Sequence, residues 1–138
     1  MDISFKKLDV YKVALEFVSL SAVALKKLPR GQSHLNDQLK RAASSIVLNI
    51  AEGAGEFSKK EKVRFYRIAL RSATESASVT DILLGFEYID QQLHDELDNA
   101  LSRIIAMLTK LIKRHEGNKF SGRAGTGSTS FGTGTFTG

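Results

Sequence analysis

A chain of 138 residues that is 42% hydrophobic and 25% charged has the length and balance of one soluble domain able to bury a core. It contains no cysteine, which excludes a disulfide framework and thiolate metal ligation and leaves no requirement for an oxidising compartment. A net charge of +5, from 20 Lys and Arg against 15 Asp and Glu, favours polyanionic partners without specifying one.

The opening MDISFKKLDV lacks the continuous apolar segment of a secretory signal, and no apolar run approaches the ~18 to 20 residues of a membrane span. The expectation is a cytoplasmic protein with no membrane partner. Asp9 is placed as the cap of a first helix that runs to about Leu28 and is stopped by Pro29 and Gly31. Its apolar residues form two stripes. Leu8, Tyr11, Leu15, Val18, Ala22 and Leu25 make one; Val10, Val13, Phe17, Leu20 and Ala24 make the other, on nearly the opposite side. A surface helix of a monomer needs one stripe, so the second is assigned to another subunit.

A second helix starts among the capping residue types Ser33 to Asn36 and ends at Gly53 or Gly55, where glycine suits the left-handed helix stop. Within it, Leu39, Ala42, Ala43, Ile46, Asn49, Ile50 and Gly53 share one face at about 100° per residue. Val47 falls on the flank and Leu48 on the polar side, so both join the expected oligomer surface with Val10, Val13, Phe17 and Leu20. Asn49 reads as a specificity device bonded to Ser72 or Ser76 on the facing helix.

Ser58 and Glu61 form a capping box that opens a third helix reaching about Tyr88. Its Ala, Ser and Thr-rich middle permits close approach to the second helix. Asp90 to Asp95 make the last connector, and a fourth helix continues to about His115 with Leu93, Leu97, Leu101, Ile104, Leu108 and Leu111 inward. Four helices with short connectors predict an all-α, up-down-up-down antiparallel bundle over 1–116. The remaining segment, 117–138, holds seven Gly, five Thr and three Ser with no aliphatic periodicity, and is expected to be a disordered tail.

The stretch from Gln38 to Glu75 carries a resemblance. Gln38, the pair Arg41 and Ala42, Ser45 and Ile46, the run Asn49, Ile50, Ala51, Glu52 and Gly53, then Phe65, Ser72 and Glu75 resemble the signature of the bacterial four-helix-bundle family known from intervening sequences of 23S rRNA genes. That family includes the accessory variability protein of diversity-generating retroelements. The likeness extends over about Phe5 to Lys113 and excludes the tail; Tyr11 and Lys12 stand where the family often has Trp. It implies a homopentamer and no settled enzymatic activity, and the retroelement members bind a reverse transcriptase and nucleic acid.

The residues themselves favour nucleic-acid binding. Lys59, Lys60, Lys62, Arg64, Arg67 and Arg71 place six basic residues against the single acidic Glu61 between positions 59 and 71, whereas 87–98 holds five acidic residues and no Lys or Arg. Lys60, Arg64, Arg67 and Arg71 form one helical stripe ~16 Å long, a scale that meets successive phosphates. In an antiparallel bundle this segment shares an end with Lys110, Lys113 and Arg114, and with Lys6 and Lys7. The alternative is a solvated face whose arginines pair with Glu75 and with neighbouring subunits, in a structural or protein-binding pentamer.

Enzyme chemistry finds little support. His34, His94 and His115 lie near the ends of different helices without metal-ligand spacing, and no cofactor is called for. Glu52 and Glu56 flank a glycine turn rather than a pocket that would separate their pKa values. AEGAGEF follows a helix instead of a strand, so its glycines do not read as a phosphate cradle.

Overall fold

In a computed structural model that describes residues 4–117, the chain is a 3-10 turn, Ser4–Lys7, followed by four α-helices: α1 Asp9–Lys26, α2 Ser33–Gly55, α3 Lys59–Gly85 and α4 Gln91–Glu116. Each helix packs on its neighbours in the order α1, α2, α3, α4 and back to α1, and among the described residues the backbones of the two diagonal pairs stay farther apart. The bundle is antiparallel, and α2 with α3 forms its most extensive pair. Small residues explain that closeness: Ala42, Ser45, Ser72, Ala73 and Ser76 let the two backbones approach.

Side chains on the inward faces fill the centre. Phe17, Leu39, Ile46, Ile50, Leu83, Leu97, Leu101, Ile104 and Leu108 are fully buried and form one continuous core. Burying a side chain of this size is worth ~1.5 to 3 kcal/mol relative to leaving it in water. In α4 the inward row continues through Ile112, with Leu111 on its edge.

Several boundaries differ from the expected ones for local reasons. Asp9 is the first helical residue of α1, preceded by Leu8, whose side chain makes no cap bond. Gln32 likewise precedes α2 without a side-chain cap. Helix α3 stops at Gly85 because Glu87 takes a left-handed φ of 61° and the amides of Glu87 and Tyr88 return to the carbonyls of Leu84 and Leu83. Asp90 then caps α4 by accepting from the Leu93 amide at 2.9 Å, so Asp95 lies inside the helix rather than at the end of a connector. Ser58 caps α3, its Oγ accepting from the Glu61 amide at 3.1 Å, while the Glu61 carboxylate turns instead to Arg64.

The oligomer surface assigned to α1 is corrected. Val10, Val13 and Phe17 are buried inside the single chain, Phe17 at 0% exposure, and Leu20 packs half-buried against the same core. Helix α1 does carry two apolar stripes, but the one bearing Phe17, which has no polar atom to satisfy, fills the bundle. The other is left partly wet, with Leu15 at 43% and Val18 at 37% exposure and Ala22 also open. On α2, Val47 is half-buried against the core and Leu48 is 63% exposed. Among the described residues no helix is long and apolar enough to cross a membrane. The expected disordered tail, Gly117 apart, lies outside the described residues.

Candidate nucleic-acid interface

The helix order brings the start of α1, the α2–α3 turn and the end of α4 to one end of the bundle. Contacts there confirm the register: a cleft of about 200 Å³ lies among Lys59, Lys60, Val63, His115 and Glu116. A second, of about 300 Å³, lies among Leu8, Asp9, Met107, Lys110 and Arg114. Lys6, Lys7, Lys59, Lys60, Arg64, Lys110, Lys113 and Arg114 are all exposed at this end. The last turn of α4 carries Lys113, Arg114 and His115, which suit its negative dipole pole.

Not every predicted cation is free. Lys62 is half-buried, and its Nζ donates to the carbonyl oxygens of Ala54 at 2.9 Å and Gly53 at 3.3 Å, so it closes the C-terminus of α2. Carbonyls of a last helical turn have no amide four residues on inside the helix; here Gly53 O accepts from the Glu56 amide as well as from the ammonium, which also serves Ala54 O. Arg67 pairs with Glu116 of α4, tying α3 to α4. Arg64 pairs with Glu61 at 3.1 Å and lies over the Phe65 ring, 4.6 Å from its centroid. Among the described residues Lys59, Lys60, Arg71, Lys110, Lys113 and Arg114 make no ion pair. Lys62 therefore leaves the candidate set as a structural cap, and the unpaired six define it.

The positive potential registers on a neighbouring ring. Partial burial, followed by the charges of Arg114, Lys62 and Lys59, holds the His115 imidazole below the usual histidine range. Tyr66, whose ring centroid lies 6.0 Å from that of His115, is pushed up by burial, with the positive charge of Arg114 opposing the rise.

The other end is mixed. Asp81, Glu87, Asp90, Asp95, Glu96 and Asp98 gather there, but Lys26, Lys27 and Arg30 at the end of α1 accompany them, which a reading of 87–98 alone overlooks. The His94 side chain is only 12% exposed, with Nε2 2.7 Å from Asp81 Oδ1 and Nδ1 3.2 Å from Asp95 Oδ1. Desolvation lowers its pKa, but the hydrogen bonds to Asp81 and Asp95 and the charges of Asp81 and Asp98 prevail and raise it. No group of three or more His, Cys, Asp or Glu among the described residues is arranged to hold a metal ion.

A groove of about 390 Å³ runs between α1 and α2, lined by Val18, Ala22, Leu25, Ala43 and the orphaned, buried Ser21 hydroxyl, with Lys40 at its margin. Leu15 lies one turn from Val18 along the same side of α1.

A four-helix bundle, strand-free among the described residues, basic at one end and mixed at the other, is the class of protein these observations define. A family model described as 23S rRNA-intervening sequence protein matches residues 6–110, and the chain belongs to that family. Among solved structures it is similar to a protein of unknown function from the S23 ribosomal protein family of Bacteroides thetaiotaomicron VPI-5482, at 27% identity and a TM-score of 0.70. That similarity covers 75% of this chain and 98% of the other. No curated protein matches the chain.

Proposed function

We propose that this protein is a non-enzymatic, oligomeric accessory that binds nucleic acid through its basic end. The observation that carries the reading is the cluster of unpaired, exposed cations Lys59, Lys60, Lys110, Lys113 and Arg114, contributed by two helices that meet at one end of the bundle. Such a cluster concentrates positive potential where a phosphate backbone gains most from it. Arg71 extends the surface along α3.

Self-association is part of the reading. Val18 of α1 lines the α1–α2 groove and Leu15 lies one turn from it, while Leu48 exposes apolar area on the outer face of α2. Covering it with another copy removes that area from water, and a ring repeats the basic end once per subunit, multiplying a weak field. Five subunits, and a reverse transcriptase as protein partner, are proposed on the sequence resemblance to retroelement accessory proteins alone. A structural pentamer meeting acidic protein through the same end is the competing reading.

A salt titration of binding to labelled RNA and DNA tests the proposal. If Lys59, Lys60, Lys113 and Arg114 of one subunit each neutralise a phosphate, the log-log salt slope is about −3 on single strands. Absence of binding at low salt would favour the protein-binding reading.

A further inference from the structure

The turn between α2 and α3 carries a phenylalanine that the fold does not use. Phe57 is 102% exposed, whereas the next most exposed large hydrophobic residues, Leu48 and Phe86, stand at 63% and 62%. Phe86 at least stacks on Tyr88, with ring centroids 5.5 Å apart; among the described residues Phe57 makes no ring contact.

The turn that displays it is pinned on both sides. Before it, the Glu56 amide donates to Gly53 O at 3.2 Å, and Lys62 Nζ holds the last carbonyls of α2. After it, Ser58 Oγ accepts from the Glu61 amide. A ring held on a short, anchored turn loses little freedom when something stacks on it, because the backbone is already ordered.

Its surroundings define what that something is. Lys59 and Lys60 follow within three residues, so their backbones lie within ~11 Å of Phe57. Both are exposed and unpaired among the described residues. Glu61 is occupied by Arg64, whose guanidinium carbon lies 4.6 Å from the Phe65 ring centroid. A planar apolar face followed in the chain by two free ammonium groups, with the Glu56 carboxylate on its other side, matches a nucleotide whose base is unstacked, with its π-face available to the ring and its phosphates to the lysines. A duplex offers the phosphates but hides the base faces inside its stack.

Resting on the nucleic-acid reading above, we infer that Phe57 is a stacking platform for an unpaired base, with Lys59 and Lys60 on the flanking phosphates, so that the basic end takes single-stranded rather than duplex nucleic acid.

The test uses the full chain and fluorescence anisotropy with a labelled oligouridylate of about 12 nucleotides, within the range such platforms cover, and a blunt RNA duplex of equal length. Phe57→Ala is expected to weaken single-strand binding about 5-fold or more, the loss of one stacked base, while duplex binding changes less than about 2-fold. Phe57→Trp should restore or exceed the original affinity. Lys59→Ala with Lys60→Ala should weaken both probes. If the lysine variant weakens both and Phe57→Ala weakens neither, or weakens both equally, the stacking inference is overturned while the basic-end reading stands. If the unaltered protein binds neither probe, both fall. If Phe57→Ala instead shifts the sedimentation coefficient, the ring is a contact between subunits and the inference is wrong.

Discussion

Gly53 lies close against the ring of Tyr66: a β-carbon built on Gly53 would sit 2.7 Å from Tyr66 Cε1 and 2.9 Å from Cδ1, with the Lys62 carbonyl oxygen at 3.2 Å. Tyr66 is buried and cannot swing aside, so the last turn of α2 approaches α3 only because this position has no side chain. The same turn receives the Lys62 ammonium, which makes the segment from Gly53 to Tyr66 one interlocked corner.

Gly53→Ala is therefore expected to destabilise the bundle by ~1 to 3 kcal/mol, the usual cost of overpacking, despite alanine's better helix propensity. Gly55→Ala is the control. A β-carbon there meets nothing within 4 Å, so that variant should be neutral or gain up to ~1 kcal/mol. A urea midpoint lowered by Gly53→Ala and unchanged or raised by Gly55→Ala would bear this out; equal shifts would not.

The α2–α3 seam is joined through Ser45. Ser72 Oγ donates to Ser45 Oγ at 2.7 Å, and Asn49 Nδ2 donates to Ser45 Oγ at 3.0 Å and to Ser45 O at 2.9 Å. Asn49 is thus half-buried and reaches α3 only through its neighbour, rather than bonding Ser72 or Ser76 itself. Ser45→Ala removes the shared acceptor and should cost ~1 to 2 kcal/mol, more than Asn49→Ala, which leaves the Ser45–Ser72 bond intact. Denaturation midpoints in the reverse order would contradict this network.

His94 ties α4 to α3 in a pH-dependent way. Its pKa in the folded chain is raised above the ordinary value of about 6.5, so the folded state holds this proton more tightly than the unfolded state. The contribution is complete below about pH 6.5 and is lost as pH rises through the higher folded value. His115 shifts the other way: its lowered pKa costs stability as pH falls through about 6.5. The two partly cancel, so the comparison is between the chain and His94→Gln. Their stability difference should shrink from pH 6 to pH 8; a constant difference would show that His94 contributes no proton-linked stability.

The exposed stripe of α1 predicts self-association. Leu15→Glu with Val18→Glu, both on the open side of the helix, should convert the protein to a ~15 kDa monomer by sedimentation while helicity by circular dichroism is kept. A wild-type protein that already sediments as a monomer at micromolar concentration would remove the oligomer from the account. Phe17 is no use for this purpose, because charging a fully buried ring would unfold the bundle.

Helix count and order, the Ser58 cap and the common end of the basic segments were legible because they depend on periodicity, local capping chemistry and antiparallel connection, whereas Asp90 reads in sequence as part of a connector and its capping role was not legible. The inward stripe of α1 was not. Two apolar rows of similar content look alike to periodicity, and only the shape of the space between α2 and α4 selects the one with Phe17. Lys62 was also opaque: in sequence it is one more cation in a basic run, and its role depends on its amine folding back to carbonyls eight and nine residues earlier. His94 depended on the register of two helices, which sets Asp81 opposite it.

The central claim is that one end of the bundle, rather than net charge, carries nucleic-acid affinity. Two variants change the net charge equally: Lys59→Glu with Lys113→Glu at the basic end, and Lys26→Glu with Lys27→Glu at the end of α1. Binding to a labelled single-stranded RNA at fixed low salt separates them. The account predicts that the first pair loses about tenfold or more in affinity while the second changes it by less than about threefold. Equal losses from both pairs would contradict it.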